Sequence, residues 1–269
     1  MTEPTHRDIA SFEGQTFGPY PMRVCLEKVE EFLDATGGER GRWTSETPPG
    51  YLASALFVVA PELLGKLHGY LVIHGEQTFT WTDSLQIERD LLISGTVARV
   101  RERAGTYFVN FEMTVTDAGS EIASGSSLFL VAEAVSDNTE SVSTTLIGVD
   151  ERGDPDTNQV AASRSDLLKY AAATRDWNPI HWDHDTAVSA GLQGVVVHGL
   201  LQAAWALDFA AAETSVGRPF DSAKIRFRNP LYPGSPATLG STAADGRISV
   251  VLSAGDTEYL TAQIVPAGR

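Results

Sequence analysis

The sequence has very little cysteine: Cys25 is the only thiol among 269 residues, so no disulfide can form within the chain. This usage is typical of a reducing compartment and predicts a cytoplasmic protein. The opening stretch MTEPTHRDIASFEGQ lacks the charged-then-apolar order of a signal peptide, so we do not expect export. No apolar run reaches the roughly 20 residues that a membrane-spanning helix needs, and we expect no membrane span.

Positive charge is also scarce. The chain has 20 Lys and Arg against 35 Asp and Glu, a formal net charge of −15, and it contains no strongly basic stretch. This balance argues against a nucleic-acid partner, because binding to phosphate backbones depends on clustered positive charge. It does not argue against a small anionic ligand, which needs only a local basic patch.

The composition that remains is that of a folded globular chain, with 42% hydrophobic and 20% charged residues. Its length suits two domains of ordinary size. Residues 134–160 are rich in Ser, Thr, Asp, Asn and Gly and form the one convincing linker. We therefore predict an N-terminal domain over residues 1–145 and a C-terminal domain over residues 146–269.

The N-terminal part has a clear sequence of predicted elements. Residues 1–20 are polar and interrupted by Gly and Pro, which favours a poorly ordered lead-in. Apolar spacing predicts a helix over 24–36, stopped by Gly37 and Gly38, and a second, apolar helix from Tyr51 that ends at Pro61. Alternating, β-rich segments then predict strands at 72–81, 93–103, 106–116 and 121–132.

The C-terminal part repeats this order. A helix follows the linker, with Ser165 as its candidate N-cap, and an apolar helix begins at Gly199. Strands are predicted at about 222–229, 236–243, 247–253 and 257–265. GYLASALF also aligns with GLLQAAWA, and TFTWTDSLQIER with KIRFRNPLYPGS. Such an internal repeat predicts two tandem copies of one fold.

Asp176 and His181 are the residues whose spacing most clearly indicates chemistry. Between them, Pro179 fixes its own φ and moves Asn178 out of the helical region, so the stretch is an ordered turn. The Asn178 side chain can tie down the loop backbone. A carboxylate and an imidazole aimed at one water form a general acid–base pair. In the repeat alignment, Gly38 takes the place of Asp176 and nothing corresponds to His181, so only the C-terminal copy is predicted to be catalytic.

The apolar helix that follows His198 adds a second feature. Its first backbone N–H groups, beginning at Gly199, are free to hold an oxyanion, and the helix dipole favours negative charge there. His198 either orients this loop or is a satisfied structural histidine. Only Gln202 and Asp208 interrupt the apolar coat of the helix, so it must be covered on all sides.

Three blocks of the C-terminal half occur together in order: YAAATRDWNPIHWD from Tyr170, HGLLQAAW from His198, and IRFRNPLYPG at 225–234. They resemble the MaoC-like (R)-specific enoyl-CoA hydratases and 3-hydroxyacyl thioester dehydratases. This resemblance implies an α+β hotdog fold, in which a curved antiparallel sheet wraps a central apolar helix. Together with the repeat, it implies tandem hotdogs that form a pseudo-dimer within one chain.

The resemblance also implies site roles. It makes Asp176 and His181 the catalytic dyad and the Gly199 N–H the oxyanion donor. Many members have glycine directly before the aspartate, where this sequence has Arg175. If that position needs a positive φ, Arg175 would be strained; alternatively, the loop differs locally or Arg175 faces the anionic cofactor.

Three cations, Lys224, Arg226 and Arg228, alternate along a predicted strand and share one of its faces. They form a candidate site for substrate phosphates, with a solvated sheet face as the alternative. HWDHD at 181–185 also offers metal-ligand side chains, but consecutive positions point in different directions, and we predict no metal. His74, in the N-terminal copy, has no nearby acid partner and is interpreted as structural.

These features favour an (R)-specific enzyme that interconverts trans-2-enoyl and (3R)-hydroxyacyl thioesters of CoA or acyl-carrier protein, without a metal or redox cofactor. Two alternatives remain open at this stage. One is a hotdog acyl-thioesterase, and the other is a non-catalytic acyl-thioester-binding subunit of a dehydratase complex. A pseudo-dimer needs no partner to complete its fold, which still leaves room for a homodimer of such chains.

Overall fold

The computed structural model describes residues 8–133, 158–212 and 218–268. Its strands form one ten-stranded sheet in which every described pairing is antiparallel. The strands are β1 (Thr16–Val24), β2 (Tyr70–Trp81), β3 (Arg89–Arg103), β4 (Thr106–Asp117), β5 (Ser120–Glu133), β6 (Gln159–Val160), β7 (Phe220–Phe227), β8 (Ala237–Ala244), β9 (Arg247–Ala254) and β10 (Thr257–Pro266). The helices are α1 (Leu26–Thr36), α2 (Leu52–Lys66), α3 (Arg164–Thr174), α4 (His184–Ser189) and α5 (Gly199–Ala211).

The strand order shows the internal repeat directly. The sheet runs β1-β3-β4-β5-β2-β7-β10-β9-β8-β6. Each half has five strands, which can be numbered one to five in chain order. From the outer edge of the sheet inward, both halves have the order one, three, four, five, two. The two halves therefore have the same topology and meet where β2 pairs with β7.

Helices α2 and α5 are the apolar centres of the two halves. Ten of the thirteen residues of α5 are buried, and α2 buries Leu52–Phe57 together with Val59, Ala60 and Leu63. Helix α2 packs on β1, β3 and β4, and α5 packs on β8, β9 and β10. The expectation that each apolar helix would be covered on all sides is met.

Charged side chains reinforce the junction between the halves. Glu76 on β2 lies opposite Arg226 on β7, and its carboxylate pairs with Arg226 Nε and Lys224 Nζ, each at 2.9 Å. All three side chains are at least partly exposed, so these ion pairs contribute modestly to stability. Two members of the predicted cationic face are therefore already paired with a carboxylate.

The predicted strands and helices are found, with differences at β1, α2, the start of α3 and β6, the last of which lies at Gln159–Val160 within the predicted linker. The expectation of a poorly ordered lead-in is wrong for the described part of residues 1–20, because β1 pairs with β3 along the sheet edge. Helix α2 does not end at Pro61 but continues to Lys66. Burial of Leu63 and Leu67 beyond the proline favours continuation over the loss of one backbone hydrogen bond.

The third difference concerns the start of α3. Ser163, rather than Ser165, is the N-cap, and it forms a capping box with Asp166. Ser163 and Asp166 have the spacing that this motif requires, whereas Ser165 lies within the helix.

The predicted boundary between residues 145 and 146 lies outside the described residues. Within the described ranges, no helix is both long enough and apolar enough to cross a bilayer.

Candidate active site

The loop after α3 carries the two residues of the predicted dyad. Helix α3 ends at Thr174, and Arg175 takes the left-handed conformation, with φ of 68°. The chain then turns through Asp176 into a 3₁₀ turn at Pro179–His181. Asn178 caps this turn, its side chain accepting a hydrogen bond from the Ile180 N–H, so the predicted role of Asn178 in fixing the loop is observed.

Backbone and side-chain bonds tie this loop to the segment before α5. Val196 N–H donates to the Ile180 carbonyl, and the Val196 carbonyl accepts from His181 Nδ1 at 2.8 Å. Because a carbonyl can only accept, Nδ1 carries the proton and a neutral His181 keeps a free lone pair on Nε2. The loop thus presents one basic nitrogen in a fixed ring orientation.

Asp176 and His181 are both buried, with 7% and 8% of their surfaces exposed. Burial raises the pKa of Asp176 to about 7, opposed by a hydrogen bond from the Asn178 backbone. Burial lowers the pKa of His181 to about 4, opposed by its bond to Val196. Near neutral pH the imidazole is therefore uncharged and the carboxyl is close to its midpoint, a pair suited to exchanging protons.

His198 connects the two dyad residues. Its ring stacks on that of His181, with centroids 3.7 Å apart and planes 23° from parallel, and its Nε2 lies 3.2 Å from the Asp176 carbonyl oxygen. Its side chain is fully buried, and desolvation, followed by the neighbouring His181, keeps its pKa well below the usual range. These contacts match a loop-orienting residue, one of the two roles that the sequence left open.

The side-chain ligand atoms of Asp176, His181 and His198 lie within 4.8 Å of one another, which raises the question of a metal site. The histidine lone pairs lie in the ring planes, and the two planes are stacked almost parallel. Lone pairs that lie in two stacked, nearly parallel planes cannot both point at one ion at the ~2.0–2.1 Å of a zinc–nitrogen bond. The geometry favours acid–base chemistry over metal binding. The neighbouring Asp183, also considered as a ligand, instead caps α4 by accepting from Thr186 N–H.

Gly199 begins α5 at the edge of the same site. A Cβ built on Gly199 would lie 3.0 Å from the ring of Phe227, so a larger residue would press against this strand. His198 provides no side-chain cap, and the first N–H groups of α5 have no intrahelical acceptor. The start of α5 thus presents backbone donors beside the dyad, as an oxyanion site requires.

Two adjacent cavities meet at Asp176. Cavity I, about 560 Å³, is lined by Phe57, Pro61, Leu64, Gly65, Leu67, His68, Gly69, Tyr70, Leu71, Val72, Arg175, Asp176, Trp177, Asn178, Pro179, Ile180, Thr186, Ser189 and Ala190. Cavity II, about 320 Å³, shares Asp176, Asn178 and Ile180 with it and adds His181, Gly199, Arg228 and Asn229. Both reach across to α2 and β2. The site is therefore built from both halves of the chain.

The predicted basic residues are placed differently from one another. Arg228 is exposed at the wall of cavity II, and Arg175 is exposed at the wall of cavity I. Arg226 does not line either cavity, and its guanidinium pairs with Glu76. The position of Arg226 fits the alternative of a solvated sheet face, and substrate binding by Arg228 stays a prediction. The pairing of Arg226 with Glu76 across the sheet could not be read from the local pattern.

Three polar residues near the dyad were not given a site role from the sequence. His74 and Gln202 line cavity II, and Tyr170 is buried beside His198. His74 Nε2, Gln202 Oε1 and the Tyr170 hydroxyl are buried and have no hydrogen-bond partner among the described residues. His74 had been interpreted as structural because its neighbours in the sequence include no partner for it. The pairing of β2 with β7 brings it to the cavity, which no local signal indicates.

The matching positions of the N-terminal half are closed by packing. A Cβ built on Gly50 would lie 2.9 Å from Cα and Cβ of Ala204, and one built on Gly38 would lie 2.7 Å from Leu33 Cδ2. Trp43 is fully buried beside this region of the chain. With glycine where the other half has Asp176, this half has neither the acid group nor open space at its helix start.

Residues 149–250 match the MaoC like domain family. The mitochondrial 3-hydroxyacyl-[acyl-carrier-protein] dehydratase of Arabidopsis thaliana is 35% identical over 72 residues, which cover 27% of this chain and 43% of that protein. The chain thus matches less than half the length of this relative.

Two solved structures from Mycobacterium tuberculosis show the same fold over nearly the whole chain. HtdX has a TM-score of 0.72 at 18% identity, covering 94% of this chain and all of the other. A second protein, described as having a double hotdog fold, has a TM-score of 0.65 at 11% identity and covers 94% of this chain and 96% of its own. The predicted tandem hotdog architecture is confirmed: the chain is a double-hotdog protein, and residues 149–250 of its C-terminal half are similar to the MaoC like domain.

Proposed function

We propose that this protein is an (R)-specific hydro-lyase that interconverts trans-2-enoyl and (3R)-hydroxyacyl thioesters. The observation that carries the proposal is the meeting of a buried carboxyl, a neutral imidazole and the start of α5 at one cavity wall. The likeness to a 3-hydroxyacyl thioester dehydratase supports the substrate class. Metal and redox cofactors have no part in the proposed reaction.

The protonation states suggest how the dyad divides the work. In hydration, Nε2 of His181 removes a proton from water while the water oxygen adds to C3 of the enoyl group. Negative charge moves to the thioester oxygen, where the Gly199 N–H stabilises it; one such donor is typically worth about 3–4 kcal/mol. Protonated Asp176 then donates its proton to C2.

Dehydration is the same path in reverse. It begins with Asp176 ionised and His181 protonated, the state that hydration leaves behind. Asp176 removes the C2 proton, and His181 protonates the departing hydroxyl. Both states hold the same number of protons, so one proton returning from His181 to Asp176, directly or through water, resets the pair for the next hydration.

The two cavities offer separate places for the two ends of a thioester. Phe57, Leu64 and Leu71 line both cavities, and cavity I extends beyond them to the apolar side chains of Pro61 and Leu67, so we assign cavity I to the acyl chain. Cavity II contains Gly199 and Arg228, and we assign it to the thioester group and the start of the carrier arm. The N-terminal half would then supply an acyl-chain wall without supplying catalytic groups.

The test is loss of the enoyl absorbance of crotonyl-CoA and of a longer trans-2-enoyl-CoA, followed by chiral analysis of the product. Wild type should form the (3R)-hydroxyacyl thioester, and Asp176→Asn should not. Release of free thiol, measured in the same samples, separates this function from thioester hydrolysis. Thiol release without hydration by wild type would contradict the proposal.

A further inference from the structure

Arg175 occupies a backbone position that its own side chain does not favour. It follows α3 with φ of 68°, in the left-handed region, where glycine is the common residue after a helix. A residue with a Cβ pays about 1–2 kcal/mol in this conformation. Ala104 and Ala118 also have positive φ, so strain alone assigns no role to Arg175, and the surroundings of its side chain decide its role.

The guanidinium of Arg175 has no hydrogen bond or ion pair among the described residues, although the chain has a net charge of −15. Some other arginines are engaged: Arg23 with Glu88 and Asp90, Arg40 with Asp34, and Arg218 with Asp221. Others, such as Arg228, resemble Arg175 in having no such partner among the described residues. An exposed, unpaired cation in so acidic a chain is available for an anion from outside.

Its position connects this cation to the proposed reaction. Arg175 lines cavity I beside Asp176 and Trp177, and it is the one lysine or arginine among the residues that line this cavity. Trp177 is 51% exposed at the same rim. When the reactive carbons of a substrate lie at Asp176, Arg175 is the lysine or arginine of cavity I that an anionic group of the same molecule can reach.

We propose that Arg175 is a substrate-binding residue. It pairs, at the rim of cavity I, with an anionic group of the substrate that lies away from the thioester oxygen. The inference rests on the proposed function. With the acyl chain in cavity I, the anionic group is a carboxylate at the far end of that chain. A phosphate of the carrier arm would reach Arg175 only in the opposite orientation, with the carrier arm in cavity I. Both would form charge-assisted, bidentate bonds to a guanidinium.

Three thioesters distinguish these sources. Crotonyl-CoA carries phosphates, crotonyl-pantetheine carries no anionic group, and glutaconyl-pantetheine carries only the distal carboxylate. The variants are Arg175→Gly, which removes both charge and backbone strain, and Arg175→Asn, which removes the charge but tolerates the left-handed region. Arg175→Lys keeps the charge, and Arg23→Ala removes one charge from the sheet edge as a control.

Arg175→Gly and Arg175→Asn should raise KM for the anionic substrate about threefold to fivefold, the range expected for an exposed ion pair, with kcat within twofold. Arg175→Lys should retain most of the affinity, and Arg23→Ala should retain all of it. The difference should fade in 0.5 M salt. Arg175→Gly should also melt at a higher temperature than wild type, so weaker binding cannot be attributed to a damaged fold.

Loss confined to crotonyl-CoA identifies a phosphate, and loss confined to glutaconyl-pantetheine identifies an acyl carboxylate. Unchanged KM for all three substrates in both neutral variants would overturn the inference, as would an equal loss for crotonyl-pantetheine. Calorimetric binding of butyryl-CoA and glutaryl-pantetheine, which cannot be hydrated, gives a readout independent of turnover. Suppose that wild type shows no hydratase activity but Arg175→Gly binds these ligands more weakly than wild type does. The proposed function would then be wrong, and this inference would stand.

Discussion

The imidazole rings of His181 and His198 stack face to face, 3.7 Å apart, while His198 Nε2 holds the carbonyl oxygen of Asp176. One buried residue therefore touches both members of the dyad without being a member itself. The contact also limits charge: a cation on His198 would repel a proton on His181 across the stack. Burial keeps the pKa of His198 well below its usual range and so keeps this neighbour neutral.

Replacing His198 with phenylalanine should separate the stack from the hydrogen bond. The phenyl ring can still pack on His181 but cannot hold Asp176, so we expect kcat to fall about 10-fold or more with little change in KM. Retention of the thermal melting temperature within a few degrees is the control for folding. A folded variant with the kcat of wild type would show that the bond to Asp176 has no part in positioning the dyad.

Loss of either dyad side chain should abolish most turnover. We expect Asp176→Asn and His181→Ala each to lower kcat by about 10²–10⁴-fold, the usual contribution of one acid–base group, while circular dichroism remains that of wild type. Gly38, the counterpart of Asp176 in the other half, offers a comparison, and Gly38→Ala should leave kcat largely intact. Near-normal turnover by either dyad variant would remove the acid–base assignment.

The same two residues predict opposite effects of pH on stability. The pKa of Asp176 is raised from 3.8 to about 7, so the native state binds more protons than the unfolded state in this window and stability falls as pH rises through it. The pKa of His181 is lowered from 6.5 to about 4, so its contribution rises with pH over nearly the same window.

Relative to wild type, Asp176→Asn should therefore become more stable as pH increases from about 4 to 7. His181→Gln should be relatively more stable near pH 4 and lose that gain by about pH 7. Urea unfolding at several pH values between 4 and 8 measures both differences. Curves that run parallel to that of wild type would mean that neither group titrates abnormally in the folded protein.

The two arginines once grouped on one strand face should now behave differently. Arg228→Ala should raise KM for a CoA thioester, because its side chain lies at the wall of cavity II. Arg226→Ala should leave KM nearly unchanged and lower stability by less than about 1 kcal/mol, because it breaks an exposed pair with Glu76. Equal effects of both changes on KM would restore the prediction of a shared phosphate site.

Much of this arrangement could be predicted because it is local or repeated. The Asp176–His181 turn depends on Asn178 and Pro179 within six residues, and its geometry follows from their backbone preferences. The two central helices could be predicted because they are apolar on nearly every side. The repeat then supplies the second copy of the fold.

What could not be predicted depends on partners distant in sequence. The Glu76–Arg226 pair exists because β2 meets β7, and His74 reaches cavity II for the same reason. Strand β1 was missed because Gly18, Pro19 and Pro21 interrupt its alternation, and its pairing with β3 stabilises a strand that the local pattern does not predict. The continuation of α2 past Pro61 likewise depends on burial of Leu67 rather than on helix propensity.

The join between β2 and β7 has one more consequence. In a symmetric dimer of identical hotdogs, every substitution appears in both copies. A substitution in the central helix that reshapes the cavity of one copy therefore also alters the helix that must hold an oxyanion in the second copy. Here the two helices belong to one chain and are free to differ. Helix α2 carries Pro61 and Gly65 into the wall of cavity I, and the 3₁₀ turn before it, at Pro49–Tyr51, packs tightly against α5. The covalent link thus permits specialisation: one helix can be adjusted to the shape of a ligand while the other keeps the requirements of chemistry.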